Sequence, residues 1–131
     1  MSARAGYPPL MQREEAQAGP RRVRVTLQPD VDAPGAARRA LRSLPLGQHG
    51  DDVVLLASEI VSSAVVNDAA DPIELSVACE RGRTRVEVSD HGAGFADELS
   101  GGYGIRMLSA ASDRWGIEHD GATRVWFELA Q

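Results

Sequence analysis

The stretch VVLLASEIVSSAVV, from Val53 to Val66, is built almost wholly from Val, Leu, Ile, Ala and Ser, with one carboxylate, Glu59, near its middle. The turn GQHG and then Asp51 precede it, so a helix is expected over residues 51–68. A helix apolar nearly all round belongs against a core. Glu59, Ser63 and Asn67 fall at steps of four and make one polar line along it, with Ser62 beside the line. A carboxylate on a buried helix is costly unless a partner or a wet cleft receives it. From this segment alone, the line is either the solvent side of the helix or the wall of a cleft.

The remaining chain supplies a sheet for that helix to cover. Residues 22–28, RVRVTLQ, alternate Val23, Val25 and Leu27 with polar residues, the pattern of a half-buried strand. Residues 32–45 open with a capping Asp and end at Pro45; Ala37, Leu41 and Leu44 share a helical face, with Arg38, Arg39 and Arg42 away from it. In PIELSVAC, 72–79, Ile73, Leu75, Val77 and Cys79 share a strand face, and TRVEVSD, 84–90, answers across an RGR turn with Val86 and Val88. A third helix is expected at about 103–113. WGIEH and TRVWFEL, joined near Asp120 and Gly121, read as a closing hairpin. The order β-α-α-β-β-α-β-β predicts an α/β two-layer sandwich with three helices and about five strands. Residues 1–20 carry Pro, Gly and charge without periodicity and read as a flexible tail.

The 131 residues suit one domain with a modest core. A net charge of −5 argues against a direct nucleic-acid binder. The single Cys79 excludes an internal disulfide and reads as a core thiol. His49 and His119 have no companions at metal-ligand spacing, so no zinc site is expected. No apolar run has the length of a membrane span, and a cytoplasmic domain is the default.

Two glycine turns stand out. SDHGAGF, 89–95, sets Asp90 at a strand end, followed by Gly92 and Gly94, which permit close backbone approach to a ligand. GYGI, 102–105, then opens a helix, and Gly102, Tyr103 and Gly104 lie where free N–H groups can meet phosphate oxygens. Either turn alone is an ordinary loop.

In this order, the Glu-bearing helix, the Asp-X-Gly-X-Gly turn, the Gly-X-Gly helix start and the VWFEL strand together resemble the GHKL superfamily of ATP-binding domains. Within that superfamily, LLASEIVSSAV, VEVSDHGAGF, GGYGIRML, SDRWGI and TRVWFEL are similar to the anti-sigma factor and protein-serine kinase branch. The resemblance spans about residues 22–130 and implies a Bergerat fold: a mixed, mostly antiparallel sheet of about five strands, covered on one face by three helices. It implies Glu59 as general base and Asp90 as acceptor for the adenine amino group. It places Gly92 and Gly94 against the nucleotide, Gly102, Tyr103 and Gly104 in the phosphate-binding turn, and Thr123 near the adenine. The implied cofactors are ATP and Mg²⁺. The implied partners are a sigma factor and/or a STAS-type anti-anti-sigma protein, with a homodimer as the common assembly.

The chain departs from that pattern at two residues and one loop. Ser63 stands where the family has a Mg²⁺-holding Asn, and Ala122 where it usually has Gly before the Thr; the lid, 95–101, is short. A Ser hydroxyl is a legitimate Mg²⁺ ligand but a shorter one. The retained Glu59, Asp90 and glycines favour a serine kinase. The departures favour a protein-binding module with weak nucleotide binding or none.

Overall fold

The computed structural model describes residues 21–66, 72–91, 103–119 and 121–130. The expected tail over 1–20 and the glycine turn through Gly92, Gly94 and Gly102 lie outside the described residues. The elements are β1 (Arg21–Leu27), α1 (Ala33–Arg42), a 3₁₀ turn (Gly47–His49), α2 (Gly50–Val66), β2 (Ile73–Glu80), β3 (Arg83–Asp90), α3 (Tyr103–Ala111), β4 (Arg114–His119) and β5 (Thr123–Ala130).

The strands form one sheet in the order β1-β2-β3-β5-β4, and every neighbouring pair is antiparallel. The expected α/β two-layer sandwich is present, with a sheet antiparallel throughout the described residues rather than mixed. Two tight connections follow from local chemistry. Arg81 and Gly82 both have positive φ, 51° and 74°, the signature of the two-residue turn that matches strand twist. Gly121, at φ 83°, serves the second hairpin where an L side chain would be strained.

Helix α1 opens at Asp32 with Pro34 in its first turn, but the Asp32 side chain makes no capping hydrogen bond. Instead the Asp30 carboxylate accepts the Asp32 N–H at 2.9 Å, one residue pair earlier than the expected cap. The helix ends at Arg42, before Pro45, with Ser43 as its cap. Ala37 and Leu41 face inward and pack on α2, while Arg38, Arg39 and Arg42 are exposed as expected.

The core lies between the helix layer and one sheet face. Leu41, Leu56, Ile60, Ile73, Leu75 and Phe127 are among its fully buried side chains. Period-two alternation in β3 buries Thr84, Val86, Val88 and Asp90 on the same side. That periodicity carries Asp90 into the helix-covered layer, which matters for the site below.

The opposite sheet face is a lattice of charge. Glu128, 6% exposed, is its hub. Its carboxylate accepts hydrogen bonds from Arg85 at 2.8 Å and from Arg114 at 2.6 and 3.0 Å, with Arg83 at 3.6 Å. Arg124 joins Glu118 at 2.8 Å. The Arg85 guanidinium also lies 4.2 Å from the centre of the Trp126 ring. That indole crosses Gly116 so closely that a Cβ there would sit 2.6 Å from its Nε1, so residue 116 has room only for hydrogen.

Burial opposes ionisation of Glu128, yet the hydrogen bonds and charges of Arg114 and Arg85 win and hold its carboxyl below the usual range. A carboxyl depressed in the folded state contributes stability that is fully present above its unfolded value and lost as pH falls through the folded one. Thermal melts recorded from pH 7 down to pH 3 should therefore show a shallower loss of Tm in Glu128→Gln than in the unmodified chain, with the variant less stable at pH 7. Parallel acid limbs would remove Glu128 as a determinant.

Candidate functional site

Asp90 and Thr123 are brought together by register. Asp90 ends β3, Thr123 begins β5, and they are direct partners across that pair. Both side chains are nearly sealed from solvent, at 2% and 4% exposure, on the helix-covered face. A carboxylate so deeply buried is costly in an apolar core and needs polar company to persist. Its place at a strand end, next to a hydroxyl, suits recognition of a polar group: the carboxylate accepts hydrogen bonds, and the hydroxyl both donates and accepts.

Helix α2 supplies the second part. It packs on both β3 and α3. Glu59 is exposed and Ser63 half-buried, one turn apart. Ser58, by contrast, is buried and turns its hydroxyl back to the Leu55 carbonyl at 3.0 Å, so it belongs to the helix itself. The expectation of a helix buried all round therefore needs correction. Leu55, 50% exposed, and Val66, 72% exposed, lie on the same open stripe as Glu59 and Ser62. Asn67, the third member of the expected polar line, lies outside the described residues.

The third part is the start of α3. Tyr103 is its first residue and Gly104 is half-buried in its first turn. A helix N-terminus presents unpaired N–H groups and the positive end of the helix dipole. Gly102, Gly92 and Gly94 lie outside the described residues, so the structure positions the helix start but not the two glycine turns that lead to it.

Among the described residues, no group of three or more His, Cys, Asp or Glu side chains could hold a metal ion. A concavity lined by Arg22, Arg83, Arg85, Glu87 and Glu128 opens on the other face of the sheet. Its Arg85 and Glu128 already satisfy each other, and it is separated by the sheet from Asp90, Thr123 and α2, so it is not the candidate site.

Sequence reasoning missed His119. It partners Thr123 across β4 and β5, and its Nδ1 lies 3.4 Å from the Thr123 Oγ1. The Asp120-Gly121 signal alone would not have found it: a two-residue turn there pairs His119 with Ala122, whereas the observed register pairs it with Thr123. Cys79 packs against the core as expected; Trp115 packs there too, and Trp126 lies on the open face. None of the described helices is long and apolar enough to cross a membrane.

The fold and site define a class: an α/β sandwich in which a buried strand-end Asp–Thr pair on the sheet faces the helix layer that holds a Glu-bearing helix and a helix with Gly104 in its first turn. A solved structure of that kind is the crystal structure of the RsbU and RsbW domains of Rv1364c from Mycobacterium tuberculosis. It superposes with a TM-score of 0.66 at 25% sequence identity, over 84% of this chain and 32% of that one. The chain thus spans about a third of the length of that neighbour. The likeness supports the fold family read from the motifs. No family model and no curated protein matches the chain.

Proposed function

We propose that this chain is an adenine-nucleotide-binding regulator of the anti-sigma-factor type, which phosphorylates a serine of a STAS-type anti-anti-sigma partner and/or sequesters a sigma factor. The observation that carries the reading is the buried Asp90 carboxylate in register with Thr123 at a strand end. The likeness to a protein holding an RsbW domain supports the regulatory half of the proposal.

Asp90 accepts a hydrogen bond from the adenine amino group, and Thr123 reaches the ring beside it. The N–H groups at the start of α3, with Gly102 and Gly104, hold phosphate oxygens. Glu59 takes the proton from the partner's serine as its oxygen bonds to the γ-phosphorus and the bond to the β-phosphate oxygen breaks, with ADP leaving. Mg²⁺ supplies charge neutralisation on the phosphates, and Ser63 is the residue that would touch it.

A second reading rests on Ser63 and Ala122: a protein-binding module that no longer transfers phosphate. One experiment separates the two. The chain is incubated with ATP, Mg²⁺ and candidate sigma-factor and STAS-domain proteins, then analysed by co-elution and by mass spectrometry for phosphoserine. A complex and phosphoserine support the kinase. A complex without phosphoserine supports the binding module. Neither complex nor phosphoserine overturns both.

Ser63 carries its own expectation. With Ser in place of the longer Asn, ATP affinity should depend little on Mg²⁺, and Ser63→Asn should create a dependence. A titration in which EDTA already weakens ATP binding many-fold in the unmodified chain would contradict this.

A further inference from the structure

Three polar side chains stand in one row across adjacent strands. Asp90 on β3 is paired with Thr123 on β5, and Thr123 is paired with His119 on β4. Residues paired across antiparallel strands point to the same face, so the row lies on the helix-covered side. It grades from a sealed carboxylate and a sealed hydroxyl to an exposed imidazole at the sheet's edge. His119 Nδ1 is 3.4 Å from Thr123 Oγ1, at the long end of hydrogen-bond reach.

Resting on the adenine-nucleotide reading above, we propose that His119 is a positioning residue that fixes the direction of the Thr123 hydroxyl and so makes the pocket select a 6-amino purine over a 6-oxo purine. A hydroxyl has one proton and two acceptor positions. With His119 donating its Nδ1–H to the Thr123 oxygen, the hydroxyl proton must point elsewhere, toward the base. Adenine offers an unprotonated N1 to that proton and a 6-amino group to the Asp90 carboxylate. Guanine offers the opposite on both counts, an N1–H and a 6-carbonyl, and leaves the Asp90 carboxylate facing an oxygen. Asp90 rejects guanine by repulsion, and the oriented Thr123 adds the second half of the discrimination. His119 reaches neither base nor phosphate in this scheme and acts only through Thr123.

The test is competition of ATP and GTP for the chain and three variants, with thermal melts as a folding control. His119→Ala should weaken ATP about 3–10-fold, the loss of one neutral hydrogen bond, and leave GTP unchanged, so the ATP:GTP ratio falls by the same factor. His119→Asn should restore most of the ratio, because its amide N–H can stand where Nδ1–H stood. In a Thr123→Val background, His119→Ala should change ATP affinity less than about two-fold, since the coupled pair is already broken. A packing role would give no Asn rescue and an undiminished effect in the Val background. If the unmodified chain binds ATP but His119→Ala leaves the ratio intact, this inference is wrong and the nucleotide reading stands. If the unmodified chain binds neither nucleotide, both fall together.

Discussion

Asp90→Asn is expected to weaken adenine-nucleotide binding by about 1.5–3 kcal/mol, the usual worth of a hydrogen bond to a charged acceptor. The substitution is nearly isosteric, so the strand end keeps its shape. What changes is the chemistry presented to the base. The carboxylate offers acceptors only, whereas the amide offers two N–H donors that oppose the adenine amino group when turned toward it. Because Asp90 is 2% exposed, water is poorly placed to compensate. A thermal melt of the variant separates lost affinity from lost folding. A calorimetric comparison that finds equal ATP affinity in the two proteins takes Asp90 out of the site.

Glu59→Gln should produce the largest kinetic effect. In the kinase reading, the substitution keeps size and hydrogen bonding but deletes the base, and transfer to a STAS partner should fall by roughly 10²–10⁴-fold. Partner binding should change little. Glu59 is exposed on α2, so its loss leaves no cavity and should not perturb folding. In the binding-module reading, the unmodified chain transfers no phosphate and the variant binds the partner equally well. Robust phosphorylation by the Gln variant is incompatible with Glu59 as base.

Much of this was legible in the chain because two periodicities are clean. Ile73, Leu75 and Val77 alternate without error, and so do Val86, Val88 and Asp90, so both strand identity and the inward direction of Asp90 follow from counting by two. Strand order was less accessible. The hairpin of β4 and β5 was readable from Asp120-Gly121, but not which strand would pair with β3. The structure places β5 inside and β4 at the edge, consistent with Val125, Phe127 and Leu129 being buried while β4 offers the half-buried Trp115 and Ile117 and the exposed His119 to that face. Glu128 escaped notice because a lone acid in an alternating strand reads as solvated. Its Arg partners come from β3 and β4, and they converge only once β5 is known to lie between them. His119 was passed over as lacking metal-spaced neighbours, a test that does not ask what lies one strand away. On α2 the polar line was visible, but the exposure of Leu55 and Val66 depends on how much of the helix the sheet covers, which no local pattern reveals.

The central claim is that the buried Asp90–Thr123 pair belongs to an adenine-nucleotide pocket. Calorimetric titration of the chain with ATP and with ADP, each with Mg²⁺ and with EDTA, addresses it directly. Saturable binding of both nucleotides is expected, nearly independent of the metal if Ser63 takes the place of a longer Mg²⁺ ligand. Absence of saturable heat for either nucleotide under both conditions would contradict it.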